Sequence, residues 1–144
     1  MQSLTLGPFA VDAGGTLTPR AAGLRPALRF AWRGRACEAE LGEDTVRMAA
    51  IAARIPSTAD PGADRPGALA ALATLPPAMP EGWTLRLLPD HRISLETAEP
   101  LDSPATAVAL VTRLVRFALA LDPYLDRLEA AGAEAPGSPS TWPG

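Results

Sequence analysis

The chain has no lysine and no asparagine, and only one cysteine and one histidine among its 144 residues. All 13 basic residues are therefore arginine. The single cysteine, Cys37, excludes an intramolecular disulfide framework and any zinc site built on several cysteines. The single histidine, His91, excludes a His-pair metal site. Aromatic residues make up 5% of the chain, so alanine and leucine must supply most of any core. The formal charge is −3 and no long basic run exists, which argues against nucleic acid and anionic membrane as partners. Met1 to Val11 carries no positive side chain, so no secretory signal is expected. The best apolar run, Ala105 to Leu121, holds Arg113 and Arg116 and is too short to span a bilayer. The arginine-only basic set, with 16 Pro and 12 Gly, fits a GC-rich coding sequence. A cytoplasmic bacterial protein is the expectation, with no cofactor and no metal.

What is present is one long periodic stretch. Ser103 and Pro104 read as N-cap and first helical residue of a helix that continues to Leu121. Ala107, Leu110, Val111, Leu114, Ala118 and Leu121 form a stripe at helical spacing. Val108, Val115 and Leu119 lie off that stripe and give the helix a second apolar side. Two readings stay open for that side: cover from elsewhere in the chain, or a contact with another subunit. Asp122-Pro123 predicts a break, with Asp122 capping a short second piece that ends near Ala130.

Upstream, alternation marks strands. Residues 4–11 read as one strand, at an edge because of Pro8, and Leu17 to Arg20 as its return past Asp12-Ala13-Gly14-Gly15. Leu28, Phe30 and Trp32 alternate with Arg29 and Arg33. Beyond Arg33-Gly34-Arg35, Cys37, Ala39 and Leu41 alternate with Glu38 and Glu40. This is a hairpin whose charges pair across its solvated face. Val46 to Ile55 fits a strand by its isoleucines and a helix by its alanines. A short helix from Pro66 to Leu75 is expected to carry Leu69, Leu72 and Leu75 on one side and to end at Pro76 and Pro77. Trp83, Leu85 and Leu87, then Ile93 and Leu95, form a second hairpin around Pro89-Asp90-His91-Arg92. Residues 132–144 read as a disordered Pro/Gly/Ser-rich tail after a single domain spanning 1–131.

The chemistry-bearing residues do not assemble into a catalytic pattern. Cys37 sits on the apolar face of its strand and reads as a buried, inert thiol. His91 reads as an exposed turn residue. Glu38, Glu40, Glu43 and Asp44 match no cation-binding loop and read as a solvated face. Gly14-Gly15 lacks any phosphate-loop context. Ser57-Thr58 reads as loop, and Trp142 as part of the tail or as a short docking motif.

The fold class these elements give is α+β. A mostly antiparallel, twisted sheet of five or six strands packs against the long C-terminal helix and one short helix. The order of parts from Met48-Ala49-Ala50-Ile51-Ala52-Ala53-Arg54-Ile55-Pro56, through Leu69–Leu75 and the hairpin Trp83–Leu88 with Ile93–Glu96, to the helix Ala105–Leu128 resembles the type III secretion chaperone-like fold shared with YbjN-type proteins. The resemblance implies a homodimeric α+β domain that binds an extended segment of a client protein, by edge-strand addition or in a groove. It carries no catalytic residue. The expected function is a non-enzymatic, chaperone- or adaptor-like protein-binding module acting as a homodimer, with Val108, Val115 and Leu119 as its interface. The alternative is a small-molecule-binding domain or small enzyme with a pocket lined by Phe30, Trp32, Trp83 and Leu85.

Overall fold

A computed structural model describes residues 4–19, 27–55, 65–102 and 104–130. The fold is α+β, with two antiparallel sheets and two helices among the described residues. Strands β1 (Leu4–Leu6), β2 (Phe9–Val11) and β3 (Leu17–Pro19) form a small sheet in that order. The larger sheet contains β4 (Ala27–Trp32), β5 (Arg35–Leu41), β6 (Thr45–Arg54), β7 (Thr84–Leu87) and β8 (Arg92–Pro100), ordered β4-β5-β6-β8-β7. Helix α1 (Arg65–Ala78) lies between β6 and β7, and helix α2 (Ala107–Ala130) follows β8.

The single sheet expected of five or six strands is thus a five-stranded sheet beside a separate three-stranded one. Residues 4–11 are the source of the difference. Gly7 and Pro8 do not lie within one strand but form the two-residue turn between β1 and β2, with Leu6 paired to Phe9. Gly7 adopts a left-handed φ of 56°, which glycine accepts without steric cost. A Cβ on Gly7 would also run into Leu28 Cδ1, so this turn is where the small sheet closes on β4.

The stretch left open between helix and strand is the ten-residue strand β6, the middle of the large sheet. It joins the two hairpins: β5 pairs along one side and β8 along the other. From Ala50 to Ala53 every residue of the strand is buried, and such a run reads as near-continuously apolar, which masks the period-two signal. Val46, Met48 and Ala50 face α2, while Arg47, Ala49 and Ile51 face away. The register slips between Ile51 and Ala53, so Ala52 is a bulge residue. At the β4–β5 turn, Arg33 and Gly34 both have positive φ (51° and 78°). That pair is the two-residue type I′ turn whose twist suits a hairpin. The β7–β8 connection is four residues, Leu88 to His91, closed by Leu88 N–H to Arg92 O at 2.8 Å.

Helix α1 runs to Ala78 rather than stopping at Leu75, with Pro76 and Pro77 inside its last turn. The Met79 N–H closes that turn on Leu75 O at 3.1 Å. Its buried side is Ala68, Leu72 and Leu75; Leu69 instead faces solvent. Helix α2 starts at Ala107, capped by Thr106, whose Oγ1 accepts the Ala109 N–H at 3.1 Å. Ser103, expected as the cap, lies outside the described residues, and Pro104 precedes the helix. The expected break at Asp122-Pro123 is absent, and α2 is continuous through Pro123. An interior proline costs a helix about 3 kcal/mol. Burial of Tyr124, Leu125 and Leu128 beyond it offsets this, at roughly 2 kcal/mol for each large apolar side chain. Pro123 itself faces solvent.

The core lies between the large sheet and α2. Val46, Met48, Ala50, Ile93 and Leu95 meet Leu110, Leu114, Phe117, Leu121, Leu125 and Leu128. Phe117, absent from the expected stripe, is central to it, whereas Val111, assigned to that stripe, is 42% exposed. The small sheet is pinned to the start of α2: Leu17 N–H donates to Ala105 O and Ala107 N–H to Gly15 O, both at 2.7 Å.

Candidate interaction surface on the outer face of α2

Residues on one side of a helix recur every three or four positions. Along one such line on α2 the sequence places Val108, Thr112, Val115, Leu119, Asp122, Asp126 and Glu129. The steps are four, three, four, three, four, three, which is the spacing of a coiled-coil seam. The seam changes chemistry halfway: its first half is apolar and its second half is acidic.

The apolar half is bare. Val108 is 76% exposed, Val115 51% and Leu119 57%, with Val111 beside them. The three residues expected as an interface are therefore together on one open face, and nothing described in the chain covers them. Thr112 does not interrupt the strip. Its hydroxyl donates back to Val108 O at 2.7 Å and so is satisfied within the helix. The bordering arginines are also engaged within the chain. Arg113 Nε donates to Pro100 O at 3.2 Å, and Arg116 pairs with Glu99 at 3.4 Å.

The acidic half is covered by the tip of the β4–β5 hairpin. Trp32 Nε1 donates to Asp122 Oδ1 at 2.8 Å. Arg33 reaches Asp122, Asp126 and Glu129 at 3.3, 2.9 and 3.2 Å. The hydrogen bond to Asp126 is the main cause of a guanidinium pKa raised above the ordinary arginine value. Arg35 is nearly fully buried and has three partners: Ala52 O at the bulge (3.1 Å), Arg33 O (2.7 Å) and Glu129 (2.7 Å). A buried guanidinium is tolerated when its donors are satisfied in this way. The hairpin charges thus divide otherwise than expected: Arg29 meets Glu38 at 4.0 Å across the open face, while Arg33 turns to the helix. Sequence reading missed Trp32, Arg33, Arg35 and the three acidic seam residues as a group. The signal was the unbroken four-three spacing through Pro123.

The other candidates are dispersed. Cys37 is 1% exposed, and desolvation pushes its thiol up to about 12. His91 is an exposed turn residue with a left-handed φ of 67°, and its carbonyl accepts the Ile55 N–H at 2.9 Å. Gly14 and Gly15 follow Asp12, whose carboxylate accepts the N–H groups of Gly14 (2.9 Å) and Thr16 (3.0 Å). Glu38 and Glu40 are on β5, whereas Glu43 and Asp44 are in the turn after it. Among the described residues, no group of three or more His, Cys, Asp and Glu side chains could hold a metal ion. Ser57, Thr58 and Trp142 lie outside the described residues.

Phe30, Trp32, Trp83 and Leu85 all pack against the core. Trp83 stacks on Phe117 with centroids 5.2 Å apart and lies 6.0 Å from the Tyr124 ring. On the opposite, open face of the sheet is a shallow cleft of about 210 Å³ lined by Glu38, Arg47, Ala49, Ile51, Arg86 and Glu96, among others. Glu96 there already accepts from Ser94 at 3.0 Å and Arg86 at 3.3 Å. No described helix is long and apolar enough to cross a membrane. No protein-family model, no curated protein and no solved structure matches this chain.

Proposed function

We propose that the protein is a non-enzymatic protein-binding module, chaperone- or adaptor-like, acting as a homodimer through the outer face of α2. One observation carries the reading. Val108, Val111, Val115 and Leu119 are large apolar side chains held open to solvent on a helix whose opposite side is firmly anchored. An exposed apolar strip rimmed by polar groups is the usual mark of a protein contact. Its polar neighbours support the reading, because Thr112, Arg113 and Arg116 each have partners within the chain. Burying the strip leaves no donor stranded, so the desolvation penalty that opposes most polar surfaces is small here. The layout resemblance to type III secretion chaperone-like domains points to the same use, with an extended client segment as the further ligand. Light scattering on the pure protein tests the dimer: the expected mass at tens of micromolar is that of two chains, and a monomer there would sink the proposal.

A further inference from the structure

We draw no further inference here: the strongest candidate, the bare apolar strip of Val108, Val115 and Leu119 on the outer face of α2, belongs to the surface already described, and nothing in the structure shows what covers it.

Discussion

Arg35 on β5 and Glu129 near the end of α2 meet at 2.7 Å, although 94 positions separate them in the chain. The two ends of this pair are unlike. The arginine side chain is 4% exposed and the glutamate 45%. Arg35 also satisfies the carbonyl of the bulge residue Ala52 and that of Arg33. Removing the arginine leaves those two acceptors without this donor, whereas Glu129 can return to water. Arg35→Met is therefore expected to cost about 2–3 kcal/mol, and Glu129→Gln under about 1 kcal/mol because an exposed carboxylate contributes little. Urea denaturation midpoints check this. Equal losses from the two substitutions would show that the ion pair, not the bulge carbonyl, is what Arg35 serves.

Gly7 and Gly82 both have positive φ (56° and 88°), yet their surroundings differ. A Cβ at Gly82 meets nothing within 4 Å, while one at Gly7 collides with Leu28. Gly82→Ala should cost only the backbone strain of a left-handed alanine, about 1 kcal/mol. Gly7→Ala adds displacement of a buried leucine, for about 2–3 kcal/mol in all. The excess should shrink in Gly7→Ala with Leu28→Val, where the colliding methyl is gone. A thermal-melt series on the four variants, Leu28→Val included, measures it.

These two sites show what the amino-acid order reveals and what it hides. Alternation through Leu28–Trp32 and Cys37–Leu41 was legible because each of those strands has one wet face; at Trp83–Leu87 it was legible too, but Leu87, expected on the apolar face, is 50% exposed. In β6 the run Ile51, Ala52 and Ala53 is buried throughout, so its period vanished and alanine made a helix equally plausible. Prolines misled twice. Pro76-Pro77 and Pro123 break isolated helices, but tertiary burial of Leu75 and of Leu125 holds these turns in place. The seam on α2 was half legible. Val108, Val115 and Leu119 stood out as apolar residues off the core stripe. The acidic half did not stand out, because only the fold brings the Arg33 turn over it.

Burial of Cys37 gives a pH signature. Its folded thiol is raised to about 12, against about 8.5 for an unfolded thiol. A raised pKa means that the folded state keeps its proton longer. Stability from this group is full below about pH 8.5 and is lost progressively as pH rises toward 12. The unfolding free energy should therefore fall across that window, and Cys37→Ala should flatten the slope. The same burial predicts that a thiol reagent at pH 8 labels the native protein only as fast as it unfolds, and labels the urea-unfolded chain at once. Rapid native labelling would show that the strand opens locally.

Val115 and Thr112 give opposing tests of the α2 surface. Val115 is 51% exposed, so Val115→Asp removes little from the monomer's own packing, and its stability should change by no more than about 0.5–1 kcal/mol. At the centre of a paired seam the same carboxylate is buried against an apolar partner without a counter-charge, and the dimer should dissociate. Thr112→Val acts the other way. It replaces the hydroxyl that bonds to Val108 O with a methyl, so association should tighten while the isolated helix changes little. Sedimentation equilibrium at several concentrations separates the two effects. If the seam is the contact, the dissociation constant rises for Val115→Asp and falls for Thr112→Val. A dimer indifferent to both substitutions is held by a different face of the molecule.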